Sequence, residues 1–232
     1  MSYSKKVKTE SMNIRIDDLI TIDPLTKGQQ EVFDSWKDGD HLAMVGTAGT
    51  GKTFLALYLA LEQVMDKGTP YDTVKIIRSV VPTRNVGFMP GTLEEKLDVF
   101  TGPYRASVVT LFQDGRAWEK LIHNKYLSFE STSHIRGETY DNTIVIVDEM
   151  QNLNFHELDS VITRVGQDSK IMFCGDYKQS DFTNERDKSG SNQFLSIVEV
   201  MKNFSVIRFT WEDIVRSDFC RDYIMTKEQM GL

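Results

Sequence analysis

Cysteine is scarce in this chain. Two stand among 232 residues, Cys174 and Cys220, far apart in the sequence. They make neither a disulfide framework nor a metal-binding spacing, which points to a reduced, cytoplasmic setting. Long apolar runs are missing too. No stretch approaches the roughly 20 residues that a membrane-crossing helix needs, and the opening Met-Ser-Tyr-Ser-Lys-Lys-Val-Lys lacks the apolar segment of a secretory leader. No membrane partner is expected. Nor is there an excess of positive charge. Twenty-seven Lys and Arg against 34 Asp and Glu leave a net charge of −7, which argues against a protein that coats nucleic acid by bulk charge but leaves room for a local basic groove. Internal repeats and low-complexity tracts are also absent. What remains is 40 % hydrophobic and 26 % charged, the composition of an ordinary globular chain. The length suits one sizeable domain with short appendages.

The most informative stretch runs Leu42-Ala43-Met44-Val45-Gly46-Thr47-Ala48-Gly49-Thr50-Gly51-Lys52-Thr53. Four residues separate Gly46 from Gly51, and Lys52 and Thr53 follow at once, which is the full phosphate-binding-loop pattern. The apolar run before it reads as a buried strand, and Phe54 to Leu61 reads as the helix behind it, so the pattern has the context it requires. Glycines let the backbone turn tightly, so that amides from about Gly49 to Thr53 face phosphate oxygens at the positive end of the helix. Lys52 is then expected at the β- and γ-phosphates and the Thr53 hydroxyl on Mg²⁺. The competing reading is a glycine-rich turn with a chance lysine.

Around this loop the chain reads as alternating strands and helices. Residues 1–20 are polar, with Lys5, Lys6 and Lys8 clustered, and are expected as a flexible or loosely docked arm ahead of a single domain over 21–232; a nucleic-acid arm is the other reading. A second strand covers Thr73–Val81 and empties into a turn-rich loop, 82–91. Arg78 and Arg84 sit where a strand's carboxyl end would face a ligand, with surface solvation the other reading for Arg84. Thr92 to Phe112 has helical spacing in Leu93, Leu97, Phe100, Tyr104, Val108 and Leu111, read as packing surface and broken near Gly102-Pro103. Further strands are expected over 126–130, 143–149, 170–174 and 204–209. His134 reads as a plain loop histidine. The run Thr143-Ile144-Val145-Ile146-Val147 is apolar on both faces, as in a central parallel strand covered by helices, and it ends in Asp148-Glu149. There Asp148 would hold Mg²⁺ through water and Glu149 would orient and deprotonate an attacking water. Alternatively, the acidic pair caps a helix beginning near Asn154. Gly175-Asp176-Tyr177-Lys178-Gln179 follows another strand, and Gln179 is positioned to contact the γ-phosphate or that water. The fold class is α/β, a mostly parallel sheet with helices on both faces.

These motifs together resemble the PhoH-like ATPase family, whose core is similar to the first motor domain of superfamily 1 helicases, a RecA-like fold. The resemblance covers roughly Leu25 to Tyr223. Gly46 to Thr53 matches the family's phosphate loop except at Thr47, where proline is usual. Gly87-Phe88-Met89-Pro90-Gly91 resembles its Gly-Phe-Leu-Pro-Gly, and Arg136-Gly137 followed by Asp148-Glu149-Met150-Gln151-Asn152 resembles Arg-Gly and Asp-Glu-Ala-Gln-Asn. Thr163-Arg164-Val165-Gly166, Gly175-Asp176 with Gln179, Ser189-Gly190 and Asp213-Ile214-Val215-Arg216 follow in turn. Ser79, Glu138 and Ser217 depart from the pattern. The resemblance implies ATP binding and hydrolysis, with helicase-like activity on single-stranded RNA or DNA and a link to RNA metabolism or phosphate starvation. It implies that Arg216 senses the γ-phosphate, where the residue alone reads equally as a solvated arginine. In helicase-like ATPases a glutamine placed as Gln29 reads the adenine edge; otherwise Gln29 is a polar residue opening a helix. Gly46, Thr47, Ala48, Gly49, Thr50, Gly51, Lys52 and Thr53 would then hold ATP, with Mg²⁺ on Thr53 and Asp148. A homo-oligomer, plausibly a ring completing each site from a neighbour, is expected, and the compact length suits a phage-encoded member. A nucleotide-gated RNA- or protein-binding switch with little turnover is the alternative.

Overall fold

The computed structural model of the chain describes residues 11–79, 93–132, 135, 137–176 and 185–230. Arg84, the 87–91 stretch, His134, Arg136 and Gln179 lie outside the described residues. Six strands form one sheet: β1 (His41–Gly46), β2 (Thr73–Arg78), β3 (Leu127–Ser131), β4 (Thr143–Asp148), β5 (Lys170–Gly175) and β6 (Phe204–Phe209). Their order is β3-β2-β4-β5-β1-β6, and every pairing is parallel. The register sets Leu42 beside Met172 and His41 beside Phe204, while Arg78 lies beside Asp148. The strand carrying the phosphate loop is thus one strand removed from the strand carrying the acidic pair, in a RecA-like arrangement.

Alternation along each strand divides the core in two, because successive side chains point to opposite faces. Leu42, Met44, Ile144, Ile146, Met172 and Cys174 face one side, where they meet α1 (Lys27–Lys37), α2 (Lys52–Met65), α3 (Leu93–Phe112) and α4 (Ala117–His123). Ala43, Val45, Val145, Val147, Ile171 and Phe173 face the other, against α5 (Phe155–Ile162) and α6 (Glu185–Val198). Both faces are covered, which is why the central strands are apolar throughout. A last helix, α7 (Asp218–Gln229), buries none of its residues. No helix among the described residues is long and apolar enough to cross a membrane.

Two local expectations are altered, and one alternative reading falls away. The expected break at Gly102-Pro103 is absent, since α3 runs through Pro103. Proline removes one helical donor, but the turns that follow it are held by Tyr104, Val108 and Leu111, all fully buried. The second half of the expected N-terminal arm lies against the core: Ile14 is buried, Leu19 and Ile20 pack on the first face, and the Ile20 N–H donates to the Leu111 carbonyl at 2.9 Å. Finally, the acidic pair does not cap α5. Asn154 does so, its side chain accepting from the Glu157 N–H at 3.0 Å while Glu157 accepts from the Asn154 N–H at 2.9 Å, a reciprocal capping box.

Candidate active site

The loop between β1 and α2 is shaped by backbone that only glycine tolerates. Gly46 has φ +122°, and a Cβ there would lie 2.2 Å from the Phe209 carbonyl oxygen of β6. Gly51, at φ +85°, turns the chain into α2. Thr47, where proline is usual, donates its N–H to that same Phe209 carbonyl at 3.3 Å, a bond proline cannot make. The Lys52 ammonium lies inside the loop, donating to the Gly46 and Thr47 carbonyls at 2.8 Å each and to the Thr50 hydroxyl at 3.3 Å. Burial lowers its pKa, and Asp176, Cys174, Asp148 and Glu149 pull it back up. A cation thus sits where phosphate charge would arrive.

At the first turn of α2 the Thr53 hydroxyl donates to Asp148 Oδ1 at 2.8 Å. The other oxygen, Oδ2, accepts from the Tyr104 hydroxyl of α3 at 2.7 Å. A hydroxyl and a carboxylate converging this way fit Mg²⁺, which uses few protein ligands and completes its shell with phosphates and water. Glu149 follows with φ +53°, a left-handed backbone uncommon for a non-glycine residue. Its Oε1 lies 4.0 Å from Arg78 Nη2, and its Oε2 accepts from Gln151 Nε2 at 2.5 Å. Gln151 in turn accepts the Asp176 N–H at 3.0 Å, which links the ends of β4 and β5. Burial opposes the Arg78 charge, but Tyr104, Glu149 and Asp148 outweigh it and raise its pKa.

These groups surround one cleft of about 630 Å³. Ala48, Gly49, Gly51, Lys52 and Thr53 line it from the loop, Arg78, Asp148, Glu149 and Asp176 from the strand ends, Pro103 and Ala106 from α3. Arg216 lines it too, just ahead of α7. A Cβ on Gly49 would stand 2.9 Å from Arg216 Cγ, so the arginine stem lies on the loop, and the Val215 N–H donates to the Gly49 carbonyl at 3.1 Å. Gln29 is placed differently. It is buried behind the loop, its Oε1 accepting the Leu25 N–H at 2.9 Å and its Nε2 donating to the Thr50 carbonyl at 3.0 Å. Its neighbour Gly28 donates its N–H to Asp213 Oδ1 at 2.9 Å. Burial would raise the Asp213 pKa, but donors on Thr210, Thr26 and Gly28 hold it below the usual carboxylate range.

Tyr104, Gln151 and Asp213 carry roles that the sequence reading did not give them. Tyr104 is hidden in an apolar stripe, where only its polar tip hints at a partner. Gln151 and Asp213 each lie within a quoted motif, beside the residues that drew attention.

The whole stretch from residue 21 to 227 matches the family described as PhoH-like protein. The chain belongs to the PhoH-like family. Relatives include protein PhoH2 of Bacillus subtilis strain 168, 37 % identical over 144 residues, which are 60 % of this chain and 32 % of that protein. A PhoH-like protein of the same strain is 32 % identical over 193 residues, 82 % of this chain and 59 % of that one. Protein PhoH of Escherichia coli K12 is 29 % identical over 178 residues, 76 % and 49 % respectively. The chain therefore spans between a third and three-fifths of the length of these curated relatives. They are bacterial, and the expected phage origin is not borne out. Among solved structures, the large terminase of a thermophilic bacteriophage in complex with ADP superposes with a TM-score of 0.48 at 15 % identity, over 89 % of this chain and 49 % of that one. The Pif1 helicase from Candida albicans gives 0.40 at 19 % identity, over 81 % and 40 %. At that level of similarity neither bears on what this chain does.

Proposed function

We propose that this PhoH-like chain is a Mg²⁺-dependent ATPase whose turnover is coupled to single-stranded RNA or DNA. One observation carries the reading: Thr53 from the phosphate loop and Asp148 from a distant strand meet at 2.8 Å, beside Lys52 and Glu149 in one cleft. Loop amides and Lys52 bind the phosphates. Thr53 and Asp148 hold the ion, which neutralises charge developing on the transferred group. Glu149 orients the attacking water and accepts its proton. Arg216 and Gln179 contact the γ-phosphate, and Gln29 holds the loop from behind through the Thr50 carbonyl. ATP is favoured over GTP on the family resemblance. RNA is the preferred polymer for the same reason, and the subunits work as a homo-oligomer, a ring in which each neighbour completes the next site.

The engagement of both Glu149 oxygens, by Arg78 and Gln151, favours a second reading, a nucleotide-gated switch with little turnover. Phosphate release separates the two. Wild type and Glu149→Gln are compared with ATP, with and without single-stranded RNA and DNA. Release stimulated by one polymer and lost in Glu149→Gln is the expected result. Slow release indifferent to both polymers overturns the coupled reading and favours the switch.

A further inference from the structure

Asp148 is 6 % exposed, and each of its oxygens accepts from a side-chain hydroxyl. Thr53, from the loop, accounts for one. The other donor, Tyr104, comes from α3, which carries neither the phosphate-loop motif nor the acidic pair. The phenol ring is fully buried and packs on Phe129, with centroids 5.6 Å apart, so it has little freedom to turn. Its helix is keyed against the sheet by Val108 and Leu111, and the residue before it, Pro103, lines the cleft. The cationic neighbour of the phenol oxygen is Arg78, beside Asp148 in the strand register.

We propose that Tyr104 is a positioning residue of the metal site: its hydroxyl fixes the Asp148 carboxylate so that Oδ1 stays on Thr53 and on the ion that both would hold. This rests on the nucleotide and metal reading given above. The physical basis is the cost of an unmet buried acceptor. Without the phenol hydroxyl, Oδ2 loses its donor in a place water barely reaches, and the carboxylate turns to find another. Partners that orient a metal-holding group in this way typically matter about 10–100-fold to metal affinity. Arg78, on the phenol oxygen itself, directs the phenol proton toward Asp148.

Tyr104→Phe keeps the ring and removes only the hydroxyl. Mn²⁺ binding to the protein–ADP complex is followed by electron paramagnetic resonance, and ADP affinity is measured separately in excess EDTA. The expected result is a Mn²⁺ half-saturation raised about tenfold, with metal-free ADP affinity unchanged. A lower melting temperature with unchanged Mn²⁺ half-saturation overturns the proposal, because it makes the hydroxyl purely structural. Should Tyr104→Phe fail to fold, para-fluorophenylalanine in place of Tyr104 decides, since it fills the volume of the hydroxyl without its proton; an unchanged Mn²⁺ half-saturation there overturns the proposal. Wild type that binds ADP without response to Mn²⁺ defeats the metal reading itself, a different failure from that of Tyr104.

Discussion

Single residues around the loop divide into those that the proposed reading offers to phosphate and those that hold the loop itself. Lys52 belongs to the first kind. Its ammonium spans two loop carbonyls, so a phosphate would have to displace the loop's own oxygens. Lys52→Ala is expected to lower ADP affinity at least tenfold in a calorimetric titration, while the melting temperature changes little. Gly28 belongs to the second kind. A Cβ there would stand 2.8 Å from Asp213 Oδ1, displacing a carboxylate that donors on three residues hold charged. Gly28→Ala is expected to cost about 1–3 kcal/mol in urea unfolding, the usual penalty for a disrupted buried acceptor. Asp213 also carries a pH signature. Its folded pKa lies below the unfolded value, so its stabilisation is present above about pH 4 and is lost as the pH falls through the folded value. Asp213→Asn should flatten that acid limb.

At the scale of elements, the strands were legible because apolar, β-branched runs between turn signals allow few alternatives. The acidic end of β4 was legible because two carboxylates ending such a run have few structural uses. Continuity of α3 through Pro103 was not, since it depends on burial of Tyr104, Val108 and Leu111 against partners far along the chain. The two ends of the Gln29 amide were equally hidden, because their backbone partners lie in a coil and in the phosphate loop, and no local pattern reports either. One junction between elements yields a prediction of its own. Lys170 opens β5 and donates to the Trp36 carbonyl at the end of α1 at 3.0 Å, its ammonium 3.8 Å from the Trp36 ring centre. Burial pushes its pKa down to about 8, while Asp40 pulls it up. The unfolded chain keeps that proton to about pH 10.4, so between these values it binds more protons than the folded chain and stability rises with pH. Urea midpoints at pH 8 and pH 10 should show this rise in wild type and lose it in Lys170→Met.

For the whole molecule, the sheet order gathers the site from ends that are remote in the chain. The loop, the acidic pair, Asp176 and Arg216 meet because β4, β5, β1 and β6 are consecutive in the sheet. The proposed ring predicts that the sedimentation coefficient and specific phosphate release rise together with protein concentration; a monodisperse monomer with full activity at every concentration would refute it. The same order also governs biogenesis. Strand β1, made early, has both of its neighbours, β5 and β6, far downstream, and the Phe209 carbonyl that braces the loop is later still. A ribosome must therefore deliver nearly the whole described chain before the cradle closes. Until then an apolar strand with two open edges waits, and such intermediates are slow to resolve and prone to aggregate. Nascent chains ending before β6 should be captured by chaperones and should not be retained on immobilised ADP.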